Sequence, residues 1–130
     1  MILDSSAIVA LLIDEPSAVT FGERIALVDA CRVGAPTLVE TGMVLTRYLG
    51  DPGRSILGDF LHQRGVEVVP FREIHWRVAQ SAFVRFGKGR HPAALNLGDC
   101  LTYAIAHVAG EPLLCTGNHF AQTDLQLVQS

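Results

Sequence analysis

Apolar residues along the chain fall into short unbroken runs, separated by longer stretches where they recur every three or four positions. The segments Met1–Leu3, Arg32–Ala35, Val66–Val69, Leu113–Cys115 and Leu125–Val128 are too short for helices and show no in–out alternation. Strands of that kind are buried on both faces, which is the signature of a parallel sheet covered by helices. Asp4-Ser5-Ser6 opens a helix through Ile13, so densely apolar that it must be largely buried. Glu15-Pro16 starts another, because Pro is well tolerated in a first turn, and Phe21, Ile25 and Val28 recur on it near the helical period. Pro36 breaks the second strand, and Thr37-Leu-Val-Glu40 matches a capping box that predicts a helix through Leu49.

After the loop Gly50-Asp51-Pro52-Gly53, a helix is predicted over Arg54–Gln63, closed by Gly65, and a longer one over Glu73–Phe86. Two Gly and one Pro make Gly87-Lys-Gly-Arg-His-Pro92 read as a mobile loop. Asn96-Leu-Gly-Asp99 then caps a helix to Val108, which Gly110 ends. Strands and helices alternate without repeat or linker, so residues 1–130 are read as one domain. The expected architecture is α/β: a three-layer α/β/α sandwich around a short, mainly parallel sheet of four to five strands.

A chain 49% hydrophobic and 18% charged is no disordered linker. The longest wholly apolar run, Ala7–Ile13, is far short of the ~18 residues a membrane span needs. No basic segment precedes it, so a cytoplasmic protein without a membrane anchor is expected. Cys31, Cys100 and Cys115 are widely spaced with no C-x-x-C pair, which argues for buried reduced thiols over zinc or redox chemistry. A net charge of -3 excludes coating nucleic acid by bulk electrostatics. The cations are nevertheless clustered: Arg72, Arg77, Arg85, Lys88 and Arg90 lie within one segment that holds a single acid, Glu73. Arg binds phosphate through two oxygens at once, although a solvated helix face is the plain alternative.

Candidate chemistry follows from topology. Asp4 directly follows strand one, Glu40 lies a short turn after strand two, and Asn118 lies three residues after Leu113–Cys115. All three project from the carboxyl edge of a parallel sheet, where such folds bind ligands. Asp99 faces that edge through its helix N-terminus. Carboxylates brought that close repel and raise each other's pKa, and a divalent cation relieves this. Oxygen donors favour Mg²⁺ or Mn²⁺ over zinc. Each acid also occupies a cap or first-turn position, where a carboxylate alone stabilises a helix by about 0.5–2 kcal/mol. The apolar setting of Asp4 and of Asp99, before Cys100-Leu101, favours a dry metal site over plain capping.

Met-Ile-Leu-Asp4-Ser5-Ser6-Ala7, Glu40 at the start of a helix, Asn96-Leu-Gly-Asp99-Cys-Leu-Thr-Tyr-Ala, and Leu113-Leu-Cys-Thr116-Gly-Asn118-His-Phe120 with Thr123-Asp124-Leu together resemble the PIN-domain nucleases. The chain is most similar to the VapC-type toxins of toxin–antitoxin pairs, over essentially its whole length. The resemblance implies a Mg²⁺-dependent endoribonuclease that blocks translation and growth. It further implies a homodimer silenced by a VapB-like antitoxin whose C-terminal segment fills the acidic groove. By position, Asp4, Glu40 and Asp99 match the family's acids and carry the metal, and Ser6 and Thr116 match its small polar residues. Asn118 falls at the fourth acidic position. An amide brings an oxygen but no charge, which weakens the case for a second tightly held ion; Asp124, six residues on, could compensate only through water, and that is the weaker expectation.

Metal-assisted phosphodiester hydrolysis is the expected chemistry, with Asp4 and Asp99 as direct ligands and Glu40 as ligand or water-orienting group. Arg85, Lys88 and Arg90 are candidates for RNA phosphate contacts. His119 reads first as an exposed loop imidazole and second as a general base. Trp76, Phe83 and Phe86 fit core or partner packing better than base stacking. Two other readings stand beside this one. A haloacid-dehalogenase-like phosphatase needs an Asp two residues after the first, where Ser6 stands. A catalytically idle α/β binding module would use its acids only as caps.

Overall fold

A computed structural model of the chain describes residues 1–13 and 15–128. Four short strands, β1 (Ile2–Leu3), β2 (Arg32–Gly34), β3 (Glu67–Val69) and β4 (Leu113–Leu114), form a parallel sheet in the order β3-β2-β1-β4. Six helices surround it: α1 (Ser5–Leu12), α2 (Ala18–Ala26), α3 (Ala35–Leu49), α4 (Pro52–Gln63), α5 (Glu73–Phe86) and α6 (Leu97–Ala109). The expected α/β/α architecture is the one observed.

Successive strand residues point to opposite faces, and this splits the core in two. Leu3 and Leu114 pack with Ile8, Phe21, Leu45 and Phe60 under α1 to α4. Ile2 and Leu113 pack with Ala82, Phe86, Tyr103 and Ile105 under α5 and α6. A strand lined by apolar side chains on both faces is what the unbroken apolar runs implied. Cys31 and Cys100 are buried and Cys115 half-buried, all three reduced. Burial pushes the Cys100 thiol up to about 11 and that of Cys115 to about 12, where neither is a nucleophile. No helix among the described residues is long and apolar enough to cross a membrane.

Several boundaries differ from the sequence reading. The helix expected from Thr37 begins at Ala35 with Gly34 as its cap, and no capping box forms at Thr37 and Glu40. Pro36 opens that helix rather than merely ending a strand, because a first-turn residue has no intrahelical partner for its N–H. The Thr37 hydroxyl instead lies 3.1 Å from that of Thr102 on α6. The Gly50–Gly53 loop is shorter than expected, since α4 starts at Pro52. A Cβ on Gly53 would stand 2.9 Å from the backbone of Leu45, so its absence allows α4 to dock on α3.

The segment after α5, expected to be mobile, is laced down by hydrogen bonds. Lys88 N–H donates to the Leu95 carbonyl at 2.9 Å and Leu95 N–H to that of Phe86 at 3.0 Å. The His91 Nδ1 accepts from Ala93 N–H at 3.0 Å. Gly89, at φ +84, makes the reversal possible without side-chain strain. The last expected strand reduces to one parallel bridge, Leu113↔Leu127, because β4 is only two residues long and offers little edge to pair with.

Candidate active site

β1 is a central strand, so whatever follows it emerges in the middle of the sheet's carboxyl edge. Asp4 does so, with its N–H donating to the Leu114 carbonyl at 3.0 Å and its backbone serving as the cap of α1. Its carboxylate Oδ2 accepts from the Ser6 N–H at 3.1 Å and from the Ser6 hydroxyl at 2.6 Å. Asp4 is only 5% exposed. Burial pushes its carboxyl above the ordinary value, hydrogen bonds from Ser6 and Thr102 pull the other way, and the charge of Asp99 adds to the rise. Among the described residues no cation pairs with it. A buried carboxylate with a second acid beside it and no counter-charge is costly unless something positive arrives.

Ser6 also ties the neighbouring strand in, since its Oγ accepts from the Thr116 N–H at 3.0 Å. Thr116 thus meets the site through its backbone, just beyond β4.

Asp99 sits in the first turn of α6 within a reciprocal capping box. Asn96 N–H donates to its Oδ2 at 3.1 Å, and its own N–H donates to Asn96 Oδ1 at 2.9 Å. That box was legible from Asn96-Leu-Gly-Asp99. What was not legible is that His119 Nδ1 stands 3.1 Å from the same Oδ2. The loop after β4 therefore reaches Asp99 with His119, while Asn118, exposed beyond Gly117, makes no side-chain hydrogen bond among the described residues.

Glu40 lies on the second turn of α3, where its Oε1 accepts from the Ser5 hydroxyl at 2.8 Å. The rest of its carboxylate rests on Gly98, where a Cβ would stand only 2.8 Å from Glu40 Cδ. Its negative charge thereby meets the N-terminal turn of α6, a favourable placement. Gly98 is a site residue the sequence reading passed over. The available signal was a Gly inside a helix, which costs about 1 kcal/mol relative to Ala and usually has a packing reason.

Asp4 thus lies within the electrostatic reach of Asp99, and Glu40 is tied to the same region through Ser5 and Gly98. As they stand, no three His, Cys, Asp or Glu side chains among the described residues form one metal-sized cluster. The donor set nevertheless fits a hard divalent ion, being oxygen-rich and anionic, with no cation paired to the buried Asp4.

Other candidates are placed differently. Asp124 accepts from the Tyr103 hydroxyl at 2.5 Å and from Arg85 at 3.3 Å, which locks it in a clamp between α5 and α6. Both donors hold its carboxyl below the ordinary range against the opposing effect of burial. Arg85 also lies over the Phe86 ring, 4.6 Å from its centroid. Arg90 Nε donates to the Val84 carbonyl at 3.1 Å. Of the three proposed phosphate contacts, only the exposed Lys88 has a side chain with no hydrogen bond among the described residues.

The PIN domain profile matches residues 1–125. The VapC ribonuclease Mb2004c of Mycobacterium bovis is 44% identical over 127 residues, covering 97% of this chain and 91% of that protein. Ribonuclease VapC of Mycolicibacterium smegmatis is 39% identical over 128 residues, 98% of this chain and 99% of its own. Among solved structures, Mycobacterium tuberculosis VapC20, described as a sarcin–ricin loop cleaving toxin, superposes with a TM-score of 0.81 at 17% identity, covering 99% of this chain and 98% of its own. VapBC2 from Rickettsia felis, bound to a DNA fragment from its promoter, gives a TM-score of 0.77 at 14% identity, covering 98% and 96%. At such identities the superpositions speak to fold.

Proposed function

This chain belongs to the PIN-domain family and is an RNA-cleaving hydrolase of the VapC toxin type; from that premise we propose that it cuts phosphodiester bonds at the Asp4–Asp99 pair, using a divalent ion, Mg²⁺ or Mn²⁺. Asp4 and Asp99 would hold the ion, with Glu40 as a further ligand or a holder of the attacking water. Such an ion, when bound, lowers the pKa of a water and offsets charge building on the phosphate.

The chain's own residues prepare the site. Ser6 fixes Asp4, the Asn96 backbone fixes Asp99, and Ser5 with Gly98 fixes Glu40. Groups pinned in advance need no reorganisation as charge develops, which is the largest source of catalytic advantage in polar sites. Lys88, just after α5, would supply a cation for the RNA backbone, and Asn118, exposed on the loop after β4, would offer a neutral oxygen donor.

The observation that carries this reading is the burial of Asp4 with the charge of Asp99 in reach and no paired cation among the described residues. Asp99→Asn protein tests it. The variant should fold and melt no lower than wild type, yet cleave RNA at least about 100-fold more slowly. Wild-type cleavage rates in folded Asp99→Asn would end the proposal.

An antitoxin of the VapB type is the partner, and expression of the chain alone should arrest growth. A homodimer is supported by the apolar surface. Val39, Met43, Trp76, Phe83 and Leu97 are all exposed around two clefts of about 330 and 420 Å³. The clefts share Leu97 and Leu101, so they form one continuous apolar face on α3, α5 and α6. A second copy seated there removes from water a patch that monomers rarely tolerate. Phe83→Glu should convert the dimer to monomer in size-exclusion chromatography with light scattering; an unchanged mass would place the interface elsewhere.

A further inference from the structure

We propose that His119 is a positioning residue for Asp99: its Nδ1–H holds one carboxylate oxygen and thereby sets the other to receive the metal. The inference rests on the metal reading of the Asp4–Asp99 pair above, and concerns how one of those carboxylates is aimed.

Three observations converge on it. The Asp99 Oδ2 takes two donors, the Asn96 N–H and His119 Nδ1, each at 3.1 Å. Asp99 Oδ1 accepts no hydrogen bond from any described residue. The carboxylate is therefore gripped by one oxygen only, which leaves the second without a donor among the described residues, within the electrostatic reach of Asp4.

The tautomer follows from the same contact. A carboxylate oxygen only accepts, so Nδ1 must carry the hydrogen, and in the neutral ring Nε2 keeps its lone pair. Asn96 alone leaves the carboxylate free to rock about its bond to the helix. His119 approaches from the separate loop after β4, so the two donors together fix both position and rotation. That loop is itself anchored at each end: Thr116 is held by Ser6, and Asp124 by Tyr103 and Arg85. His119 is more than half exposed, with a side chain 56% accessible, so it contributes little to the core and its role lies in the contact.

Partners that orient a metal-binding side chain typically influence metal affinity by about 10–100-fold. The test compares three substitutions in Mn²⁺ and Mg²⁺ titrations read by calorimetry and by the metal-induced rise in melting temperature. Asn places a donor where Nδ1 stands, Gln places one where Nε2 stands, and Ala places none. His119→Asn should keep near wild-type metal affinity, while His119→Ala and His119→Gln should each weaken it about 10-fold or more. Equal affinity in wild type and His119→Ala would overturn the proposal. So would His119→Asn falling as far as His119→Ala, which would mean that the ring acts through Nε2 instead.

A second measurement separates this proposal from the metal reading. Nitrogen NMR of the His119 ring in metal-free protein should show hydrogen on Nδ1, and Asp99→Ala, which removes the accepting oxygen, should abolish that preference. If wild type binds no metal while this signature holds, the metal reading fails and the grip on Asp99 survives. If the signature is absent, the positioning role is refuted whatever the metal does.

Discussion

Replacing Gly98 by Ala isolates the site from the fold. The added methyl would lie 2.8 Å from Glu40 Cδ and 3.0 Å from Oε1, closer than real Cβ contacts allow. The α6 backbone is held by its capping box, so the flexible Glu40 carboxylate is the part that yields. Reaching ordinary contact at 3.4 Å from Cδ requires a displacement of about 0.6 Å, and more at the nearer Oε2. The stability terms oppose each other. Ala in place of Gly inside a helix contributes about 1 kcal/mol, and a strained or broken Ser5–Glu40 hydrogen bond removes a similar amount once water substitutes at this half-exposed position. Melting should therefore shift by less than about 5 °C. Activity has no such offset: misplacing a catalytic group by about 1 Å costs on the order of 100-fold, so a loss of about 10–100-fold in RNA cleavage is expected. Initial rates on a fluorophore-quencher RNA, beside a thermal melt of the same sample, check both halves. Undiminished cleavage would refute the seating of Glu40 on α6. A fall in melting temperature of more than about 10 °C would show instead that the methyl disrupts packing.

Three further substitutions probe the frame. In metal-free buffer at neutral pH, Asp4→Asn should melt a few degrees above wild type, because burial holds the Asp4 carboxyl above its ordinary value of 3.8. The folded state then keeps its proton after the unfolded state has lost it. Wild type loses stability as pH climbs from about 3.8 through the raised folded value, and the variant should lack that slope. Parallel melting curves for the two proteins would contradict the buried charge. Tyr103→Phe removes the donor 2.5 Å from Asp124 and should cost about 1.5–3 kcal/mol in urea unfolding, with a loss of cleavage as the His119 loop loosens; unchanged stability would mean that the clamp is idle. Gly34→Ala drives a methyl to 2.7 Å from the buried Ile105 Cγ1, and a cost of about 1–3 kcal/mol is expected by the same assay. A neutral result there would show that β2 and α6 sit further apart than described.

What could be read from the residues alone tracks how local each feature is. The bounds of α5 emerge from spacing and a Gly after Phe86, and the Asn96–Asp99 box is written in four consecutive residues. Asp4 needed only its place after an apolar run. Pro36 was ambiguous because the same ring ends a strand and opens a helix, and the deciding contact of Thr37 is with Thr102, sixty-five positions away. Glu40 on Gly98, and His119 on Asp99, depend on where side chains from separate elements point, which no period or motif encodes. The cationic cluster was visible as charge, but the capture of Arg85 by Asp124 joins residues thirty-nine apart.

Buried Asp4 and half-buried Asp99 both take hydrogen bonds at helix N-termini, and this shapes how a population escapes the protein's toxicity. An amide oxygen still accepts the cap hydrogen bonds that Asp4 and Asp99 accept, yet carries no charge to repel its neighbour or draw a cation. Asp to Asn is a single-nucleotide change. Selection for survivors of unrestrained expression should therefore recover Asn at these two codons more often than disruptive changes in the sheet. Such survivors would still carry an abundant, well-folded chain, able to soak up antitoxin and leave any intact copy unguarded.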